Sequence, residues 1–243
     1  KEKKINNMPF YSSKSIRKIG PLLKSGKVNY WSGNECKKFE QEFSRYLGNK
    51  FSLTLSNGSV ALELALKALN LKKQDEIIVS PRSFIISSSC TLNLGLKPIF
   101  ADVDENGNLN IEGIKKAYNK KVKVIIIVHL NGLSCDLEPI IKFAKKNKIF
   151  LIEDCAQAHG AVYKGKKVGS FGDISTWSFC QDKIISTGGE GGMISTNNKK
   201  NRTAEEEGVY KFARSSVVAD RDISIGEKIS EESLSNARSL INI

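Results

Sequence analysis

Cysteine and histidine are scarce in this chain, and neither is spaced as a disulfide framework or a zinc site would need. Five cysteines occur in 243 residues, and no two of them form a Cys-x-x-Cys pair. An odd number without that spacing predicts neither a disulfide-stabilised fold nor a zinc site. The two histidines, His129 and His159, are isolated in the sequence, so a histidine-rich metal centre is not expected.

Long apolar runs are also lacking. A membrane-spanning helix needs about 18–20 consecutive apolar residues, whereas the longest run here, Val122–Val128, is short and contains Lys123. The charged residues 1–7 are not followed by the apolar core of a signal peptide. The sequence therefore predicts a cytoplasmic protein that makes no contact with a membrane.

Acidic residues are outnumbered, with 26 Asp and Glu against 38 Lys and Arg, which gives a formal net charge of +12. Such an excess can indicate nucleic-acid binding. Here the lysines are scattered among acidic residues, and no basic stripe carries interleaved aromatic residues. We expect no nucleic-acid partner, although the charge could help to attract an anionic small substrate.

Short β-branched runs alternate with segments of helical periodicity over residues 51–196. Strands are predicted at 51–55, 76–79, 97–101, 122–129, 149–153, 174–179 and 192–196, and helices at 58–70, 83–95, 111–118 and 136–147. This alternation is typical of an α/β fold with a mostly parallel sheet and helices on both faces. The sequence pattern changes after Asn198, so we expect one domain over 1–200 and a separate segment over 201–243.

Polar residues follow several of the predicted strands. In parallel sheets, ligands bind beyond the carboxyl ends of the strands. The segments at these positions are Ser56-Asn57-Gly58-Ser59, Pro81-Arg82-Ser83-Phe84, His129-Leu130-Asn131-Gly132 and Asp154-Cys155-Ala156-Gln157. The sequence therefore predicts a ligand site at this edge of the sheet.

Three of these positions offer specific chemistry, and each also has a purely structural interpretation. Gly58 and Ser59 open a predicted helix, where main-chain N–H groups can bind phosphate, but taken alone the segment is more often a simple helix cap. Phe84 could stack on a planar ligand or belong to the core. Asp154 could pair with a ring nitrogen or cap a helix.

A glycine-rich loop carries the fourth candidate. Ser178-Phe179-Cys180-Gln181-Asp182-Lys183 is followed by four glycines around Glu190. A lysine that is desolvated in such a loop can form a Schiff base, although a lone lysine in this sequence is more often a surface residue. A phosphate cradle, a stacking ring, a carboxylate and a Schiff-base lysine are together the requirements of a pyridoxal phosphate site.

The chain resembles the DegT/DnrJ/EryC1/StrS sugar aminotransferase family over about residues 8–200. These are pyridoxal phosphate enzymes of fold type I, which aminate nucleotide-linked keto-sugars. The matching stretches occur in the family's order and spacing at 25–33, 56–62, 81–85, 100–104, 128–132, 153–160 and 178–192. The resemblance implies a three-layer large domain of this transferase fold, acting as a homodimer.

The resemblance also implies a role for each matching residue. Lys183 is the Schiff-base lysine and proton shuttle, Asp154 pairs with the pyridine nitrogen, and Gln157 lies near the ring hydroxyl. Phe84 stacks on the ring, and the phosphate is held by Gly58, Ser59 and Ser178. Glutamate or glutamine would supply the amino group, and a nucleotide-linked keto-sugar would receive it. Relatives with histidine in place of the lysine are dehydratases, so Lys183 favours transamination.

Two features depart from the family pattern. The usual chain is much longer, and its C-terminal part does not appear after residue 200, so we expect a truncated large domain. Ile184 replaces the usual asparagine after the lysine, as it does in a subgroup with the Cys-Gln-Asp-Lys motif. Residues 211–232 instead resemble the start of the SAF domain of sialic acid synthases.

Two alternatives to an active aminotransferase follow from these departures. The chain could be a non-catalytic remnant that keeps the fold and pyridoxal phosphate binding. It could also be a sugar-binding module built on the SAF-like segment. The first alternative predicts no amino transfer, and the second predicts sugar binding that survives deletion of residues 1–200.

Overall fold

The computed structural model describes residues 11–198 and two short strands near the C-terminus. Two compact units divide the chain, at 1–199 and 200–243, and each is described by itself. The helices are α1 (Ser13–Lys24), α2 (Glu35–Leu47), α3 (Gly58–Lys67), α4 (Ile86–Asn93), α5 (Ile111–Ala117) and α6 (Leu137–Asn147). The strands are β1 (Phe51–Leu55), β2 (Glu76–Val79), β3 (Lys97–Phe100), β4 (Val122–Val128), β5 (Phe150–Asp154), β6 (Val162–Tyr163), β7 (Lys166–Lys167), β8 (Ile174–Ser178), β9 (Gly192–Thr196), β10 (Val217–Ala219) and β11 (Leu234–Asn236).

Seven strands of the first unit form one sheet in the order β1-β9-β8-β5-β4-β2-β3. Strands β3, β2, β4, β5 and β8 run parallel, whereas β9 is antiparallel to both of its neighbours, β8 and β1. The carboxyl ends of β4, β5 and β8 therefore meet at one edge of the sheet, together with the segment that follows β1.

Helices cover both faces of the sheet and make a three-layer architecture. On one face of the sheet, Ile125, Ile127 and Leu151 pack against α5 and α6. Successive side chains of a strand point to opposite faces, so their neighbours Ile126 and Ile152 pack against α3 and α4 on the other face. A third cluster packs Phe43 and Leu47 of α2 on Trp177 and Met193. The nearly continuous apolar sequence of β4 reflects burial on both faces.

All seven predicted strands and all four predicted helices are confirmed, with boundaries that shift by a few residues. The largest shift is in α4, which begins at Ile86 and leaves Ser83 and Phe84 in the loop after β2. The helices α1 and α2 and the small β6–β7 hairpin were not predicted from the sequence. The signal for α2 was present, because Phe39, Phe43 and Leu47 recur every fourth residue.

The second unit contributes the pair β10–β11, which is antiparallel. Most of the predicted SAF-like stretch, 211–232, lies outside the described residues, so that assignment stays a prediction. Among the described residues, no helix combines the length and the apolar character needed to cross a membrane.

Candidate active site

A cavity of about 700 Å³ lies at the edge of the sheet where β5 and β8 end and α3 begins. Its walls include all seven residues singled out from the sequence: Gly58, Ser59, Phe84, Asp154, Gln157, Ser178 and Lys183. These residues come from four separate stretches of the chain. The topology therefore brings the candidate residues together at one place, at the edge where a ligand was expected.

The first turn of α3 forms one end of the cavity. The Asn57 side chain caps the helix, because its Oδ1 accepts a hydrogen bond from the Val60 amide at 2.9 Å. Gly58 follows and lies so close to β8 that a Cβ at position 58 would be 2.8 Å from the Ser178 Cβ. The first amides of a helix have no intrahelical partner, and the helix dipole favours an anion beside them. The cap role thus belongs to Asn57, which leaves Gly58 and Ser59 facing the cavity.

Asp154 ends β5 and lies deep in the cavity, with only 7% of its surface exposed. Its Oδ1 accepts a hydrogen bond from the Ala156 amide at 3.1 Å. Burial raises the pKa of this carboxyl, and the Ala156 amide, His129 and Lys183 oppose the rise. A buried carboxylate with a single amide donor can accept a further cationic partner from within the cavity.

Gln157 is oriented by the turn that follows β4. Its Oε1 accepts a hydrogen bond from the main-chain amide of Asn131 at 2.9 Å. Asn131 adopts a left-handed conformation with φ of 53°, which asparagine tolerates better than most residues. Because the oxygen of the side-chain amide is engaged, its NH₂ group is the end available to donate to a ligand.

The Lys183 loop is closed at its base by main-chain hydrogen bonds. The Phe179 amide donates to Gly191 O at 2.7 Å, and the Gln181 amide donates to Gly189 O at 2.9 Å. Gly188 has φ of +101° and Gly189 has φ of +159°. These positive φ values favour glycine in the part of the loop that leads back to β9. The Lys183 side chain is 20% exposed, and its Nζ lies 2.9 Å from Asp182 Oδ2.

Phe84 lies at the mouth of the cavity and not in a hydrophobic core. It is 68% exposed and stands in the loop between β2 and α4. The structural interpretation of this ring as a core aromatic is therefore wrong. Its position leaves one face free to contact a planar group bound in the cavity.

A buried hydrogen-bond network behind Asp154 was not predicted from the sequence. Glu153 is fully buried, and its carboxylate accepts from the amides of Gly169, Phe171 and Gly172 at 2.6–2.8 Å. It also lies 3.1 Å from His129 Nε2. Because His129 Nδ1 accepts the Cys135 amide, the ring proton is on Nε2 and is donated to Glu153. This network anchors the ends of β4 and β5 that carry the site.

Glu153, His129 and Cys155 also lie near enough to one another to raise the question of a metal site. Every nitrogen and carboxylate oxygen of His129 and Glu153 already has a hydrogen-bond partner. Burial raises the pKa of the Cys155 thiol well above its usual value, so the thiol stays protonated. The cluster is therefore a structural hydrogen-bond network.

His159 is buried beside the cavity without a well-placed hydrogen-bond partner. Its ring packs on Trp177 and Phe179, with centroids 5.3 and 5.4 Å apart, and both ring nitrogens are unpaired within the described residues. Burial and the nearby Lys183 lower the pKa of His159 from 6.5 to about 4. The main chain of Ser178 has a smaller, opposite effect and raises this pKa.

This buried histidine predicts a loss of stability in acid. Below pH 6.5 the unfolded chain takes up a proton that folded His159 does not bind until about pH 4. The free energy of unfolding should therefore fall by up to about 3 kcal/mol between these pH values. Urea unfolding of the wild type and of His159→Phe over pH 4–7 measures it, and the variant should lose less. Parallel curves for the two proteins would contradict this role of His159.

A family model for the DegT/DnrJ/EryC1/StrS aminotransferase family matches residues 11–221. The chain belongs to this family. The match extends past residue 200, where the resemblance was expected to end, and reaches into the stretch assigned as SAF-like. The fold is accordingly the α/β large-domain fold of the pyridoxal phosphate-dependent aminotransferases, as expected.

Individual relatives agree with the family match. The GDP-perosamine synthase of Escherichia coli O157:H7 is 46% identical over 168 residues, which are 69% of this chain and 46% of that protein. The X-ray structure of an aminotransferase from Psychrobacter cryohalolentis has a TM-score of 0.78 and 47% identity, covering 79% of this chain and 49% of that one. NtdA of Bacillus subtilis with bound cofactor PMP has a TM-score of 0.72 and 28% identity, covering 82% and 47%. The chain thus spans about half the length of the relatives it matches.

Proposed function

We propose that this chain carries the cofactor site of a pyridoxal 5′-phosphate-dependent aminotransferase. The reaction would transfer an amino group from glutamate or glutamine to a nucleotide-linked keto-sugar. The single observation that carries the proposal is the cavity in which Lys183, Asp154 and the first turn of α3 meet. The relationship to a GDP-perosamine synthase and to a PMP-binding structure supports both the substrate class and the cofactor.

The residues present fit the phosphate of such a cofactor. A Cβ at position 58 would fill the space against Ser178, so glycine is what leaves the main chain of α3 accessible there. The helix N-terminus supplies N–H donors, and Ser59 and Ser178 supply hydroxyl groups. A dianionic phosphate would complete the hydrogen bonds of these donors.

The other residues fit the ring. Asp154 would pair with the pyridine nitrogen and keep it protonated, Gln157 would donate its NH₂ group to the ring oxygen, and Phe84 would cover one face. Lys183 would hold the cofactor through its amine. When bound, pyridoxal phosphate supplies an aldehyde that exchanges amino groups and a ring that acts as an electron sink.

Individual side chains of the cavity would carry out the proton transfer and orient the other groups. Among the described residues that line the cavity, Lys183 alone carries an amine, so we assign its Nζ the transfer of protons at the reacting carbon. The Asp154 carboxylate is oriented by the hydrogen bond from the Ala156 amide. The hydrogen bond from Asn131 keeps Gln157 in one orientation. Together these contacts preorganise the site.

The test is the visible absorption spectrum of the purified protein with added pyridoxal phosphate. We expect a new band that borohydride fixes to the protein, with the modified peptide containing Lys183. Amino transfer from glutamate to a panel of GDP-, UDP- and CMP-linked keto-sugars follows. A folded protein with no band would contradict the proposal, and a band without any transfer would support the non-catalytic remnant.

We also propose that the protein acts as a homodimer. The apolar side chains of α1, including Ile16, Ile19 and Leu23, are exposed to solvent, and Trp31 beyond it is 68% exposed. Apolar patches of this kind typically mark a protein–protein contact. Light scattering should give twice the chain mass, and Ile19→Glu should shift it to the monomer. A monomeric wild-type protein at micromolar concentration would contradict this proposal.

We further propose that residues 201–243 form a segment separate from the cofactor-binding domain, 1–200, and that the protein is cytoplasmic. The division of the chain into two compact units supports the first statement, and five free cysteines support the second. Limited proteolysis should cut within 200–216 first, and cell fractionation should find the protein in the cytosol. Cleavage elsewhere, or recovery outside the cytosol, would contradict the respective statement.

A further inference from the structure

Lys183 is paired with its neighbour in the sequence. Its Nζ lies 2.9 Å from Asp182 Oδ2, and the lysine side chain is 20% exposed whereas the aspartate is 66% exposed. The Lys183 amide donates to Cys180 O at 3.0 Å, which fixes a tight turn beneath both side chains. The pair therefore lies in the cavity wall, where a largely buried lysine meets an exposed carboxylate.

Several other titratable groups face Lys183. Asp154 approaches from the end of β5, His159 from the segment after it, and Cys180 and Glu190 line the same cavity from the loop. Among the described residues, only Asp182 forms an ion pair with the amine. Cys180 Sγ lies 3.4 Å from Glu190 Oε1, and the same thiol also interacts with the Asp182 carboxylate.

Asp182 is ionised under ordinary conditions. The hydrogen bond from Lys183 holds the pKa of this carboxyl below its usual value. An ionised carboxylate at this distance favours the charged ammonium form of an amine and tethers it in one place. The amine that the proposed function needs as a nucleophile is thus tethered to Asp182.

We propose that Asp182 is a positioning residue that tethers the amine of Lys183 beside its own carboxylate and slows the reaction of this lysine with the cofactor. This inference rests on the proposed function. In that reaction the ammonium first gives one proton to water. The amine nitrogen then bonds to the aldehyde carbon, and the aldehyde oxygen leaves as water. The pair with Asp182 must break before the nitrogen can bond to that carbon.

Asp182→Asn should therefore take up pyridoxal phosphate faster than the wild type. For a partly exposed pair we expect an increase of about threefold in the rate of band formation at pH 7 and low salt. The ratio of the two rates should approach one at high salt, because salt screens exposed pairs. It should also approach one as the pH nears the range where lysine side chains lose their proton. A purely structural role would not produce this dependence.

Two further variants serve as controls. Asp182→Glu keeps a carboxylate beside the amine and should stay close to the wild-type rate. Asp102→Asn removes another exposed partner of a lysine, because Asp102 Oδ2 lies 3.6 Å from Lys116 Nζ in a different part of the unit. It should leave the rate of cofactor uptake unchanged.

The outcomes separate this inference from the proposed function. Equal rates for Asp182→Asn and the wild type at every pH, or a slower variant, would overturn the role of Asp182 while cofactor uptake itself stands. Absence of the band in the wild type would overturn the proposed function, and the inference would fall with it. A faster variant whose advantage disappears with salt and with rising pH supports the inference.

Discussion

Lys183→Ala should abolish the cofactor absorption band that borohydride can fix to the protein. Lys183 is the amine in the cavity wall, and alanine offers no nitrogen that could bond to the aldehyde carbon. Phosphate and ring contacts would remain, so weak non-covalent binding is expected to persist. Titration of both proteins with pyridoxal phosphate, followed by borohydride reduction and mass spectrometry, measures the effect. The expected loss of covalent incorporation is complete.

A matched lysine variant tests whether the effect is specific. Lys116→Ala removes an exposed lysine of α5, whose side chain is 78% exposed, and should incorporate the cofactor as the wild type does. Lys183→Ala should also unfold at nearly the wild-type urea concentration, because the Lys183 side chain makes one ion pair among the described residues, and its partner is exposed. Stoichiometric borohydride-fixed cofactor in Lys183→Ala would show that another lysine carries the cofactor.

Glu153→Ala should destabilise the fold strongly. The substitution would leave the amides of Gly169, Phe171 and Gly172 and the ring nitrogen of His129 without their buried acceptor. Removal of one partner from a buried charged network typically costs about 3–5 kcal/mol. A domain of ordinary stability has only about 5–15 kcal/mol in total. Urea unfolding of the purified variant measures the loss.

Two variants bracket this prediction. Glu153→Gln keeps one carbonyl oxygen and should lose less stability than Glu153→Ala. It can therefore be measured even if Glu153→Ala does not fold. Glu112→Ala removes an exposed glutamate that pairs only with Lys115, and its free energy of unfolding should change by less than about 0.5 kcal/mol. If Glu153→Gln and Glu112→Ala were equally mild, the network would not hold the site as described.

Much of the fold could be predicted because its strands and helices have strong periodicity. The strand β4 is almost wholly apolar, and α3 begins directly after a polar turn, so both were located from the sequence. The helix α1 has no buried residue and contains Gly20 and Pro21, which disfavour a helix interior, and it was not predicted. The boundary of α4 was shifted because Ser83 and Phe84 continue a plausible helical sequence that the loop after β2 interrupts.

The candidate site could be predicted to a similar extent. The positions of Gly58, Asp154 and Lys183 follow from their places after strands and in a glycine-rich loop. The Glu153–His129 network could not be found in this way, because a glutamate in a strand next to an aspartate gives no sign of what it will meet. Its amide donors come from a turn after β7, and only the folded chain brings that turn behind β5.

The sequence by itself determined the α/β class, the family and seven of the residues that line the cavity. The class, the family and these residues depend on local periodicity and on the order of short motifs, which are properties of the sequence itself. The tertiary structure decided which residues meet and in what state. It placed Gly58 against Ser178, exposed Phe84, oriented Gln157 through Asn131, and paired Lys183 with Asp182. Each of these depends on contacts between surfaces, on burial or on a main-chain conformation, and such properties exist only once the sheet has brought distant segments together.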